Sequence, residues 1–197
     1  MIDSPLSDLQ PNGSDDISVL LKSAAQGDRS AVARLFENLY PQLRRIAHQR
    51  LSRGSRMGHL ETTALVHECY LKLSVSEGIR PEHREHFLAY AATAMRTILV
   101  DFARMRATER AGGRIPHVAL DTRIEAADSA GEDEVLRVNE ALSEVAALDA
   151  RLVQVVEMRY FAGMTEAEIA QALGIAVRTV RRDWEKARLL LAEAMSA

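Results

Sequence analysis

Arg178, Arg181, Arg182 and Lys186 crowd into nine residues near the end of the chain. Guanidinium and ammonium groups this close together do one thing well: they neutralise phosphates, and an arginine can pair two donors with one base edge in the major groove. The other residue types that can do chemistry are less well placed. His83 and His86, with His67 and Glu68 nearby, invite a metal-site reading, but the His-Glu pair lacks the second helical His of a zinc hydrolase and no cysteine pair assists. Cys69 stands beside apolar neighbours and reads as a buried thiol, not a nucleophile. Ala111-Gly112-Gly113 follows a helical stretch without the Lys-Ser/Thr of a phosphate loop. No catalytic residue, metal or cofactor is therefore expected, and the chain is not read as an enzyme.

The elements that must position the four cations lie in residues 165–191, TEAEIAQALGIAVRTVRRDWEKARLLL. Thr165 and Glu168 have the spacing of a capping box and start a helix; Ile169, Ala170 and Leu173 are its apolar face, and Gly174 ends it in a left-handed residue. After the turn, Val180, Trp184, Ala187 and Leu191 form one packing face, while Arg178, Arg181, Arg182 and Lys186 fall on the others. Two helices, a tight glycine turn, a small residue at the crossing and a basic second helix describe a helix-turn-helix. The competing reading is an αα-hairpin with a solvated charged face. Trp184 is read as a core anchor, and its removal is expected to unfold the C-terminal part and leave the N-terminal half intact.

With 197 residues, 47% apolar and 27% charged, the chain is long enough for one average domain or two small ones. The net charge of −3 hides a segregation: residues 121–150 hold nine carboxylates against Arg123 and Arg137 alone, a net −7. The rest is basic, and a phosphate backbone feels the local field. One cysteine excludes an internal disulfide framework and fits a reducing compartment. No apolar run approaches a membrane span, and the acidic, polar start is unlike a signal peptide, so the expectation is a cytoplasmic protein with a loose tail over residues 1–15.

Ile17, Leu20, Leu21 and Ala24 form a first helical stripe ending at Gly27, and Asp28 is placed to cap a second helix. That helix carries Val32, Leu35, Phe36 and Leu39, meets Pro41, and resumes with Leu43, Ile46, Ala47 and Leu51, which predicts a kink or a break at the proline. Thr62 or Thr63 is expected to cap a third helix whose His67, Glu68 and Lys72 point outward. From His83 to Arg110 no Gly or Pro interrupts a long fourth helix, whose arginines Arg96, Arg104, Arg106 and Arg110 gather toward its end. Interaction with the negative helix terminus accounts for some of them without a ligand.

In this order, GDRSAVARLFENLYPQLRRIA, TTALVHECYLKL, HREHFLAYAATAMRTILVDFARMR and MRYFAGMTEAEIAQALGIAVRTVRRDWEKAR resemble an extracytoplasmic-function (ECF) sigma factor. This is the minimal two-domain form of the bacterial RNA polymerase specificity subunit. The resemblance implies an all-α fold: a domain 2-like bundle over residues 16–111, an acidic flexible linker over 112–136 and a domain 4-like helix-turn-helix over 137–197. It implies core RNA polymerase and promoter DNA as partners, with His67, Glu68 and Lys72 toward the polymerase. Tyr90, Arg96, Asp101, Arg104, Arg106 and Arg110 would serve the −10 element, and Arg178, Thr179, Arg181, Arg182 and Lys186 the −35 element. Family members are also commonly held inactive by an anti-sigma protein. The chain departs from its relatives at Ala64 and His67, where Asp and Gln are frequent, at Thr97 for a common Asn, and at Ala176 where Ser usually caps the recognition helix.

The alternative function is a free-standing helix-turn-helix regulator with an N-terminal dimerisation or ligand module. It is disfavoured by an N-terminal half that is itself arginine-rich, without a ligand pocket or heptad seam in its pattern. The acidic linker is read chiefly as a solvated, extended tether. A second expectation is that its residues 121–134 lie weakly against Arg104, Arg106, Arg110 and Arg114 in the free protein.

Overall fold

A computed structural model describes residues 17–53, 60–76, 79–111 and 122–196. The tail expected over residues 1–15, residues 112–121 of the expected linker and Arg114 lie outside them. All regular structure among the described residues is helical: α1 (Ile17–Ala25), α2 (Arg29–Arg53), α3 (Thr62–Val75), α4 (Arg84–Ala111), α5 (Thr122–Leu148), α6 (Ala150–Tyr160), α7 (Glu166–Leu173) and α8 (Val177–Ala194). This is the all-α fold that the periodicities predict. Among the described residues no helix is long and apolar enough to cross a membrane.

Local signals set most of the helix starts. Asp28 accepts hydrogen bonds from the backbone N–H of Ser30 at 2.8 Å and of Ala31 at 3.4 Å, satisfying orphan donors of α2 after the left-handed Gly27 (φ 91°). Pro41 lies inside α2, which runs through it without a break. An internal proline costs about 3 kcal/mol, and the buried Leu39, Leu43, Ile46 and Ala47 on either side keep both halves of the helix on one core. One expectation is corrected at α3. Its cap position is Glu61, which makes no side-chain capping bond, and Thr62 is already helical. The helix is held instead by burial of Leu65, Val66, Cys69 and Leu73.

A larger correction concerns the acidic segment. Residues 122–136, expected to be extended, form the first half of α5. Net charge averaged over the segment conceals the inward series Val135, Val138, Leu142 and Val145, whose spacing of three to four residues fits one face of a helix. Alanine and glutamate, frequent here, are also good helix formers. The expected boundary at 136/137 therefore falls within a continuous helix.

One face of α4 packs on α3, and another meets α5, α6 and α7. The main core accordingly runs without interruption from Leu35, Leu65 and Phe87 in α2 to α4 to Val155, Met158, Ile169 and Val180 in α6 to α8. A second, smaller cluster of Leu142, Val145, Leu152, Val153, Val156 and Ala187 ties α5 and α6 to α8.

Candidate nucleic-acid interface

The helix-turn-helix forms as its residues require. Thr165 and Glu168 make both halves of the capping box, with the Thr165 N–H donating to Glu168 at 2.8 Å and the Glu168 N–H donating to Thr165 at 3.3 Å. Burial pushes the Glu168 carboxyl up, but the Thr165 bonds and the nearby Arg84 outweigh it and hold the group below its usual range. Gly174 closes α7 at φ 63°, where any side chain would be strained. Ala176 precedes α8 without a side-chain cap.

Helix α8 buries Val180, Asp183 and Ala187, so Arg178, Arg181, Arg182 and Lys186 share the exposed side and Thr179 sits half-buried between. Asp183, only 2% exposed, accepts from Arg151 Nε at 2.8 Å and so pins α8 to α6. Arg181 is also oriented. Its Nε donates to Glu166 at 2.5 Å, while Arg159 donates to the same carboxylate at 3.3 Å and lies 4.7 Å over the Trp184 ring. The Arg181 hydrogen bond, helped by Arg159, holds the Glu166 carboxyl below its usual range. With Nε engaged, the two terminal nitrogens of Arg181 remain available for a bidentate contact.

The six residues assigned to the −10 element separate into two stripes of α4. Tyr90, Asp101 and Arg104 face solvent, and Asp101 pairs with Lys72 of α3 at 3.4 Å. Arg96, Arg106 and Arg110 lie on the stripe that faces α5 and α6, around the buried Leu99 and Ala103. Arg96 donates to Glu157 at 2.5 Å and to Asn139 at 2.9 Å, and Thr93 donates to the other Glu157 oxygen at 2.8 Å. Arg106 reaches Glu132 at 3.4 Å, and Arg110 donates to both Glu132 and Asp133. The self-contact expected of the acidic segment is present at Arg106 and Arg110 but not at Arg104, which faces solvent, and it has a fully buried Glu132 at its centre.

His67 and Glu68 are exposed on α3 and Lys72 is half-buried by its pair with Asp101. Their side of the helix also exposes Leu71 (41%) and Val75 (72%), which the apolar pattern of α3 left unassigned. His83 and His86 stack at 3.9 Å, and His86 Nε2 donates to the Ala172 carbonyl at 2.7 Å. No group of three potential metal ligands occurs among the described residues. Cys69 is buried, which pushes its thiol up to about 12.

Sequence reasoning missed Glu157 and Asp183, and it expected Glu132 in a weak, exposed contact and not at a buried position. The signal was available in principle: each interrupts an inward apolar series, as Glu157 does between Val156 and Met158. A carboxylate at such a position requires a cationic partner, because an unpaired buried charge is costly.

An all-helical protein carrying a basic helix-turn-helix beside an arginine-rich long helix belongs to the nucleic-acid-binding class. The family comparison makes this specific: the chain matches the model of the ECF sigma factor family over residues 14–197, and it belongs to that family. No curated protein and no solved structure matched it. Membership makes the chain a non-enzymatic transcription initiation factor whose partners are core RNA polymerase and promoter DNA.

Proposed function

We propose that α8 reads the −35 element of a promoter through Arg178, Thr179, Arg181, Arg182 and Lys186, and that α4 serves the −10 element through Tyr90, Arg96, Asp101, Arg104, Arg106 and Arg110. The observation that carries the reading is the single exposed face of α8, where four cations converge above a helix locked by Asp183 and Val180. A lone helix-turn-helix covers too few base pairs to select one genomic site. A second reader on the same chain supplies the missing selectivity through effective concentration.

Polymerase docks on α3 in this reading. His67, Glu68 and Lys72 provide polar contacts, and the exposed Leu71 and Val75 beside them provide apolar area, the mixture found at interface rims and cores. The assembled enzyme works in the cytoplasm, and an anti-sigma protein covering α3 or α8 is the expected form of external control.

Transcription in vitro with purified core polymerase and a pool of genomic promoter fragments tests the reading. The transcripts are expected to come from promoters that share two sequence blocks at fixed spacing. Replacing Arg178 with alanine should relax one position of the upstream block, at a cost of roughly 1 to 3 kcal/mol. Transcripts without shared blocks, or an unchanged upstream preference for Arg178→Ala, would remove the assignment of α8.

A further inference from the structure

We infer that Glu166, braced by Arg159, is a positioning residue that fixes Arg181 of α8 for an end-on, two-donor contact with guanine, and so makes one base pair of the upstream promoter block G·C. The inference rests on the assignment of α8 above and adds which base Arg181 selects and what makes it selective.

A carboxylate on this surface works against DNA binding unless it has a task of its own. Glu166 is the first residue of α7, the helix that in a helix-turn-helix crosses the DNA backbone while the second enters the major groove. A negative charge there repels phosphates and weakens binding to every sequence alike. Glu166 is not needed to start α7, because Thr165 and Glu168 complete the capping box without it. Its two oxygens are instead engaged across helices, one accepting from Arg181 Nε at 2.5 Å and the other from Arg159 at 3.3 Å.

Arg159 is itself held in place. It stands near the end of α6 with its guanidinium 4.7 Å from the centre of the Trp184 ring, and Trp184 packs against both apolar clusters. A line of contacts thus runs from the core through Trp184, Arg159 and Glu166 to Arg181. Of the four cations on the exposed side of α8, Arg181 is the one that hydrogen-bonds a carboxylate among the described residues. Its side chain is 67% exposed, so packing alone would leave it many rotamers. Each group also favours the charged form of the other: the Arg181 hydrogen bond holds the Glu166 carboxyl below its usual range, and Glu166 raises the Arg181 guanidinium above its own.

The occupied nitrogen decides which base fits. The guanidinium is a planar fork of five N–H donors. With Nε given to Glu166, the remaining edge is the one formed by the two terminal nitrogens, and it matches the O6 and N7 acceptors of guanine in the major groove. Adenine sets a donor beside its acceptor there, thymine offers one acceptor and cytosine a donor, so the fork meets two acceptors on guanine alone. Arg181 is the fifth residue of α8, within the N-terminal part of a recognition helix that reaches base edges. An arginine already held in one geometry loses less rotamer freedom on binding, which is worth about a factor of two to ten.

The test uses holoenzyme reconstituted with core polymerase and a library of one of its promoters in which each position of the upstream block is randomised. Sequencing the transcribed templates gives the base preference at every position. Arg181→Ala should erase a guanine preference at one position, which locates the contact. Glu166→Ala should lower the preference at that same position by about two- to tenfold and leave the others unchanged. The same variant should melt like wild type, since the capping box is intact, and should bind a scrambled duplex no more weakly, since a negative charge has left the interface. A merely structural role would weaken both kinds of binding together. Glu166→Gln keeps an oxygen acceptor for Nε and should retain most of the preference. Arg159→Met, which removes the brace but keeps an aliphatic chain beside Trp184, should show a smaller loss at the same position. In an Arg181→Ala background, Glu166→Ala should change nothing there. The inference is overturned if Glu166→Ala leaves the guanine preference intact, relaxes a different position, or keeps its effect without Arg181. It is equally overturned if the position lost in Arg181→Ala prefers a base other than guanine. In each of these cases Arg181→Ala still relaxes one position, and the assignment of α8 stands. Wild-type preferences at every position in Arg181→Ala would remove the reading by Arg181 and the inference together.

Discussion

Trp184→Ala is expected to destabilise the whole chain by about 3 kcal/mol, the lower end of what loss of a large aromatic core residue costs. The lower end applies because the indole is partly exposed. It packs against both apolar clusters, and it also carries the Arg159 guanidinium at 4.7 Å. For a chain of this size the melting temperature should fall by about 6 to 12 °C. The sequence pattern, read as two separate modules, predicts loss of the C-terminal part alone. The uninterrupted core from Leu35 to Val180 instead predicts one cooperative transition in which α1 to α4 melt with α5 to α8. Thermal unfolding followed by circular dichroism separates the two. Trp184→Phe, which keeps most of the buried area, should recover most of the loss. A Trp184→Ala protein that melts like wild type yet fails to bind DNA would place the indole at the nucleic acid.

Replacing Arg178, Arg181 and Arg182 together with alanine is expected to lower promoter-specific transcription by roughly 100-fold or more. Each base or phosphate contact contributes about 1 to 3 kcal/mol, and about 1.4 kcal/mol is a factor of ten. Arg181 adds an indirect effect: its loss leaves Glu166 with Arg159 alone, so a carboxylate faces the DNA with one cation fewer. The fold should survive, because all three side chains are exposed and the buried Asp183, which loses Arg182 at 3.6 Å, keeps Arg151 at 2.8 Å. Unchanged helical content and melting together with lost transcription is therefore the expected pair of results. Transcription at the wild-type rate would show that α8 does not read the promoter.

The parts of this molecule that were legible in the sequence are those whose causes are local. The Thr165/Glu168 box, the left-handed Gly174 and the apolar stripe of α8 lie within a few residues of what they control, and they appear as the spacing predicts. Pro41 was ambiguous because the penalty of an internal proline is local, whereas the burial that outweighs it in α2 is tertiary. Thr62 and Thr63 misled for the opposite reason: a capping residue type stood near a helix start that packing had already set one residue earlier. The helical character of residues 122–136 was hidden by averaging, since a net charge says nothing about which carboxylates face inward. Glu157 pairs with Arg96 across a separation of 61 residues, and no local pattern names that partner. What a charged residue inside an apolar series does announce is that some partner exists, and here the partners are arginines of α4.

As an ECF sigma factor, the chain is expected to select promoters as a polymerase subunit and not as a free regulator. Fluorescence anisotropy of a labelled duplex promoter, titrated with the chain in the presence and absence of core polymerase at fixed physiological salt, tests it most directly. No preference for the promoter over a scrambled duplex is expected when the chain is alone. With core enzyme, a preference of at least about two orders of magnitude is expected. Tight, sequence-specific binding by the chain alone, centred on a palindrome and unaffected by polymerase, would contradict it.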